Sequence, residues 1–351
     1  MKQLLTHSRM QSFKSCRKKH WWEYEVGFRK EVDQKALRMG TAGHSGLDSL
    51  KQGHPLEDAL LDVRVHYQAW SAGLDEVDLD IERETVECLV TGYSWRWGDV
   101  PMKVVDTERV FRLPLVNPAT DAFSQIWDVA GKIDGVVKLE DGRLAVIEHK
   151  FISDPLDLDG DYWRRLQLDP QISMYVYAAR KLGYDVETVL YDVVRKPTIR
   201  PEKVPILDND GCKVVIDQAG LRVMTKQGKP RQTGDVELGY TLQSRPQSTA
   251  EWSEKLLADI ANRPDFYFAR VEIARLDNDI DELLEENWDI QKTLRDAQSR
   301  GRWYKTVTQG TCPYCAFFGL CSSRYDPSDG IPPDGFVKLT EIHPELEELV
   351  P

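Results

Sequence analysis

Apolar positions recur with a helical period through the first hundred residues, and the period changes sharply near Lys103. Met10, Phe13 and Cys16, with Lys19, recur at three-residue intervals behind Ser8, which predicts a helix capped by that serine. Pro55 suits an early helical position, and the pattern behind it runs to Trp70. Ile81 to Trp97 predicts a further amphipathic helix. Beyond Lys103, Val104–Leu115, Trp127–Leu139 and Arg143–Phe151 read as strands separated by turn residues. Asp169 followed by Pro170 has the form of an N-cap and first helical residue, so a helix is expected from Pro170 to Leu182, stopped by Gly183. Thr188–Val194 predicts one more strand.

Residues 197–247 are rich in Pro, Gly, Lys and Gln and predict an irregular excursion with one hairpin and no internal repeat. Ser248 and Glu251 form a capping box for a helix through Ile260, Tyr267–Leu276 predicts a strand, and Asp277–Arg300 a helix. On that last helix Ile280, Leu283, Leu284, Asn287, Trp288, Gln291 and Leu294 share one face. The run strand–strand–strand–helix–strand makes the fold class α/β with a mixed central sheet. We expect one composite domain over residues 1–351: a helical region (1–99), an α/β core (100–196) and an irregular, helical C-terminal region (197–351).

Composition narrows the function. With 41% hydrophobic and 30% charged residues the chain is an ordinary globular protein. It has no apolar run long enough to span a bilayer and no apolar core of a secretory signal, so the expected compartment is the cytoplasm, with no membrane partner. The formal charge of −12 opposes indiscriminate coating of nucleic acid but leaves room for a local basic channel. Arg9, Lys14, Arg17, Lys18 and Lys19 lie beside Trp21, Trp22 and Tyr24, a combination that suits either a strand of nucleic acid or a solvated helix face followed by core aromatics.

Three of the six cysteines crowd together as Cys312, Cys315 and Cys321 in a C-x2-C-x5-C run, which points to metal before disulfides. A fourth ligand is needed, and Cys16, among polar and basic neighbours, is the candidate; Cys88 and Cys212 are read as non-ligands. Zinc and a 4Fe–4S cluster both accept four cysteines, and spacing does not choose between them.

In the strand Arg143–Phe151, Glu148 and Lys150 share one face while Ile147 and His149 share the other. A carboxylate and an ammonium on an otherwise apolar strand need a cleft, a metal or each other. Glu140-Asp141-Gly142 suits a three-residue hairpin loop that pairs Leu139 with Arg143 and so sets Asp134 opposite Glu148. The commoner two-residue loop would put Asp134 opposite His149, on the wrong face. Two carboxylates and a backbone carbonyl offer hard oxygen ligands for Mg²⁺ or Mn²⁺, and Lys150 beside them fits phosphodiester hydrolysis. An ion pair between Glu148 and Lys150 on the protein surface is the competing reading.

Asp134, Glu148-His149-Lys150 and Gln171-Ile172-Ser173-Met174-Tyr175 resemble the D, E-x-K and Q-x3-Y motifs of the PD-(D/E)XK nuclease superfamily. Ser8 to Cys16, Gly40-Thr41-Ala42-Gly43-His44 and the four cysteines resemble its RecB-like iron–sulfur branch, which includes the AddB nuclease domain, CRISPR adaptation nucleases and phage exonucleases. The resemblance runs from about residue 8 to about 324. It implies a restriction-endonuclease-like core, with Mg²⁺ or Mn²⁺ held by His44, Asp134, Glu148 and the His149 carbonyl. It further implies Lys150 as the catalytic lysine, Gln171 and Tyr175 in support or on DNA, and Glu108 as the first acidic motif. A 4Fe–4S cluster on Cys16, Cys312, Cys315 and Cys321 would clamp the two helical ends together. Arg17 stands where the branch often has proline. The implied activity is a DNA exonuclease acting on single strands or duplex ends, in recombination, repair or phage DNA processing. A recombination, helicase or CRISPR adaptation protein is the implied partner, and a non-catalytic DNA-binding module on the same fold is the alternative.

Overall fold

The computed structural model describes residues 2–31, 34–68, 75–100, 102–343 and 346. The first half contains β1 (Gln3–Leu5), α1 (His7–Ser15), α2 (Arg17–His20), a π-helical turn (Trp21–Val26), β2 (Phe28–Lys30), α3 (Lys35–Lys51), α4 (Leu56–Gln68) and α5 (Glu76–Trp97). The core follows as β3 (Lys103–Val116), β4 (Phe123–Lys138), β5 (Leu144–Ile152), α6 (Asp161–Leu166), α7 (Pro170–Lys181) and β6 (Val186–Arg195). Then come β7 (Lys203–Pro205), β8 (Val215–Ile216), β9 (Thr241–Leu242), β10 (Ser244–Pro246), α8 (Thr249–Asn262), α9 (Pro264–Tyr267), β11 (Phe268–Ala274), α10 (Asp277–Arg300), α11 (Phe318–Ser323) and β12 (Phe336–Lys338).

Local signals placed most boundaries, with instructive exceptions. Thr6, not Ser8, caps α1: its hydroxyl accepts the Arg9 N–H at 3.2 Å, and Ser8 lies inside the helix. The helix does not run through to Lys19, because Cys16 is extended (φ −162°, ψ 114°) and α2 starts afresh. Trp70, the expected end of the helix behind Pro55, lies outside the described residues. Asp169 caps α7 by accepting the Gln171 N–H at 2.9 Å, and Ser248 and Glu251 form the expected capping box.

The central sheet is mixed, in the order β1-β4-β5-β6-β11, with β3 also on β4. β5 and β6 are parallel, joined by the crossover through α6 and α7, while β3–β4, β4–β5 and β6–β11 are antiparallel. One face of the sheet, carrying Val146, Val189, Tyr191 and Val193, packs on Ile172, Met174 and Val176 of α7 and on Leu283 and Leu294 of α10. The other, carrying Val194 and Phe268, packs on Ala42, Val63, Leu89 and Trp252 from α3, α4, α5 and α8. Burying both faces removes solvent from the strand centres.

Residues 197–247 hold more than the one hairpin expected. A four-residue turn recurs as Asp208–Gly211, Asp217–Gly220 and Thr225–Gly228, each ending on a glycine at φ of +75°, +80° and +73°. The leading side chain accepts backbone N–H groups in each: Asp208 from Asp210 and Cys212, Asp217 from Ala219 and Leu221, Thr225 from Lys229. The N- and C-terminal regions meet through antiparallel pairing of β2 with β12 and an apolar cluster of Trp22, Phe28, Phe317 and Leu320.

Candidate active site

The β4–β5 hairpin has the three-residue loop. Leu139 N–H donates to the Arg143 carbonyl at 2.9 Å, Gly142 sits at φ +92°, and the register runs from Lys138↔Leu144 to Gly135↔Ile147. One residue further, where Asp134 faces Glu148, the ladder stops. β4 swings away and pairs with β1 over Trp127–Val129, so β4 and β5 form a fork. Opened strands leave backbone groups without partners. Asp134 fills that role: its Oδ2 accepts the His149 N–H at 2.9 Å. A strand residue presents its N–H and C=O along one edge, so the His149 carbonyl opens onto the same fork.

Side chains converge there from both layers. From the α7 side, Lys150 Nζ lies 2.6 Å from Glu148 Oε1 and donates to Gln171 Oε1 at 2.8 Å. Gln171 Nε2 in turn donates to the Tyr175 hydroxyl at 2.9 Å, the i, i+4 pair on α7. From the α3 side, His44 Nδ1 comes to 3.7 Å from Asp134 Oδ2. Gly43 explains the glycine beside that histidine: a Cβ there would lie 2.2 Å from the Phe151 ring, so only glycine lets α3 approach β5. The structure therefore brings His44, Asp134, Glu148, the His149 peptide, Lys150, Gln171 and Tyr175 to one place.

Glu108 is placed beside this group. It falls level with Asp134, between the pairs Thr107↔Gly135 and Arg109↔Ile133, in a left-handed conformation at φ +49°. Its carboxylate is engaged by Lys132 and hydrogen-bonded with Asp48.

Burial dominates the electrostatics. It pushes the Glu148 carboxyl up to about 8, the Asp134 charge adding and Lys150 opposing. Burial also pulls the Lys150 ammonium down, but Glu148, Asp134 and Asp169 together outweigh it and the net shift is upward. Burial lowers His44, with Lys150 and Lys51 reinforcing and Asp134 resisting, so its imidazole is neutral at neutral pH, the form that ligates metal. Glu148 Oε2 is buried with no hydrogen-bond partner. An orphaned carboxylate oxygen beside a second carboxylate and a neutral imidazole is a donor set that fits a hard divalent cation. Among the described residues no three Cys, His, Asp or Glu side chains are already gathered as a metal-binding group.

Several residues here escaped the sequence reading. Lys51 Nζ donates to the Asp134 carbonyl at 2.6 Å and pairs with Asp48 at 2.7 Å. Burial pushes Asp48 up to about 6 against the pull of Lys51. Asp48 and Lys51 follow His44 at i+4 and i+7, so the helical period carried the signal. Asp192 on β6, level with His149, was equally visible as an acid in an apolar strand.

The cysteines lie where the chain ends meet. Cys16 Sγ accepts the Thr306 N–H at 3.3 Å, Cys312 Sγ lies 3.7 Å from the Thr306 carbonyl, and Cys321 Sγ accepts the Trp22 indole N–H at 3.4 Å. Cys315 shares the apolar cluster of Trp22 with Cys321, and burial pushes its thiol up. Cys88 instead lies against Ser253, and Cys212 follows one of the recurring turns.

A family model of the PD-(D/E)XK nuclease superfamily matches residues 4–322. No curated protein matches the chain. Among solved structures, a candidate exonuclease from Eubacterium rectale aligns with a TM-score of 0.42 at 10% identity, over 90% of this chain and 87% of that one. In the described residues no helix is long and apolar enough to cross a membrane. The family match covers the hairpin, the cysteine run and nearly everything between, and the chain belongs to the PD-(D/E)XK nuclease superfamily.

Proposed function

We propose that the chain is a metal-dependent DNA exonuclease of the RecB-like iron–sulfur branch, working in recombination, repair or phage DNA processing. The observation that carries this reading is the fork between β4 and β5, where Asp134, Glu148 and Lys150 meet His44 from one layer and Gln171 from the other. His44, Asp134, Glu148 and the His149 carbonyl would hold Mg²⁺ or Mn²⁺. When bound, such an ion supplies an acidified water and neutralises charge on the scissile phosphate. Lys150 keeps its proton and sets a positive charge beside the phosphate position. Gln171 accepts from Lys150 while donating to Tyr175, and with Glu148 on its other side the ammonium has two partners. Asp134 is itself held by the His149 N–H, and Lys51 grips its carbonyl.

The same reading assigns a 4Fe–4S cluster to Cys16, Cys312, Cys315 and Cys321. It is supported by N–H donors already aimed at Cys16 and Cys321, a pattern that suits cluster sulfurs. The cluster would be structural, strengthening a junction that β2, β12 and their apolar neighbours already make.

End-labelled linear DNA and closed circular DNA, each incubated with Mn²⁺, test the activity. Linear DNA should be shortened from its ends and circles left intact, and Lys150→Met should abolish shortening while leaving DNA affinity and the circular-dichroism spectrum of the folded chain unchanged. Cleavage by Lys150→Met at the parent rate would remove the lysine from the chemistry, and nicked circles would replace exonuclease by endonuclease.

A further inference from the structure

Behind the fork, on the α3–α5 face of the sheet, lies a row of buried polar side chains that the chemistry above does not use. His149, Asp192 and Arg270 are lateral neighbours on the adjacent strands β5, β6 and β11. His149 and Asp192 are wholly buried and Arg270 nearly so. Tyr93 of α5 closes the row, its ring edge-on to the His149 ring at 6.2 Å. Everything in the row converges on one atom. Arg270 reaches Asp192 Oδ2 through Nε at 3.1 Å and Nη2 at 3.0 Å, Tyr93 donates its hydroxyl hydrogen to the same oxygen, and Arg270 Nη2 also donates to the Tyr93 oxygen at 2.9 Å. His149 Nδ1 lies 3.6 Å from that oxygen, a packing contact outside hydrogen-bond range, and both of its ring nitrogens are buried without a hydrogen-bond partner.

A sheet face that only needed filling would not carry this row. Apolar side chains of similar volume do that without the cost of desolvating a carboxylate and a guanidinium. The row does have mechanical access to the site, because the peptide that bears the His149 ring also bears the N–H that orients Asp134 Oδ2. On the α3 side the His44 ring lies edge-on to His149 at 6.2 Å, so the same imidazole also walls the histidine that faces Asp134.

We propose that Asp192, clamped by Arg270 and Tyr93, is a positioning residue for the cation site: it fixes the His149 ring from behind, and with it the peptide and ring surface that align Asp134 and His44. This rests on the cation site proposed above. Outer-shell partners of metal ligands are worth roughly 10–100-fold in metal affinity, which sets the scale.

The test is Mn²⁺ binding to the full chain without DNA, read from the paramagnetic resonance of free Mn²⁺, for the parent, Asp192→Asn and Tyr93→Phe. Tyr93→Phe keeps the ring and removes one donor from Asp192; Asp192→Asn keeps the shape and removes the charge. Both should raise the half-saturating Mn²⁺ concentration, about tenfold for Asp192→Asn, with cleavage restored at high Mn²⁺ and DNA affinity unchanged. If Asp192→Asn fails to fold, Tyr93→Phe decides alone. Half-saturation within twofold of the parent in a folded variant overturns the positioning role while the cation site stands. A parent that binds no Mn²⁺ overturns both.

Discussion

Replacing Glu148 by Gln probes what the site costs the fold. In the ion-free protein burial holds this carboxyl near 8, against an ordinary value of 4.5. A carboxyl raised on folding contributes its stability in full below the unfolded value, and that contribution is lost as the pH climbs toward the folded value. Between pH 5.5 and 7.5 the unfolded chain has released this proton and the folded one retains it. Each pH unit therefore costs the parent about 1.4 kcal/mol, or roughly 2–3 kcal/mol over the interval. Glu148→Gln also takes from Lys150 its 2.6 Å partner, but that loss is nearly the same at both pH values and drops out of the comparison. Every other titrating group is common to the two proteins. The assay is urea unfolding in EDTA at both pH values. The parent should lose about 2–3 kcal/mol relative to the variant on going up, a large part of a total stability of roughly 5–15 kcal/mol. A difference between the two proteins that stays constant to within about 0.5 kcal/mol would show that Glu148 is ionised throughout and refute the reasoning.

Gly43→Ala should destabilise the fold by about 1–3 kcal/mol in thermal or urea melts, because its Cβ would enter the Phe151 ring, whereas Gly40→Ala three residues earlier, with no neighbour within 4 Å, should not. Gln171→Ala removes one of the two groups holding Lys150 and should lower kcat roughly tenfold with KM and melting temperature little changed; a change confined to KM would move Gln171 to substrate binding. Anaerobically purified protein should be brown and carry iron, with colour and iron both lost in Cys312→Ser; stoichiometric zinc in the parent would refute the cluster.

Apolar runs set the strands of the core, cap signals set the helix from Pro170, and a helical period set Asp277–Arg300, because burial of a strand or of one helix face writes itself into the local sequence. The hairpin register was also legible, since Glu140-Asp141-Gly142 admits a tight turn whose glycine must take positive φ. Once that register is fixed, Asp134 and Glu148 must lie level. Caps were legible only where a single candidate stood: Thr6 and Ser8 are equivalent as types, and Thr6 caps because the chain leaving β1 is extended there. The recurrence of turns over residues 208–228 went unread because its spacing is only eight or nine residues and its strands are too short to leave an alternation.

The site itself divides along the same line. Asp134, Glu148 and Lys150 could be picked out as candidates from types and spacing, because a carboxylate or a lysine in an apolar strand contradicts the burial around it, whereas His44, Gln171 and Tyr175 rested on the family resemblance. That β4 parts from β5 one residue before Asp134, that Lys51 reaches the Asp134 carbonyl, and that Asp192, Arg270 and Tyr93 share one oxygen are long-range facts. They depend on how strands and helices distant in the chain are set against one another, and local spacing holds no record of that.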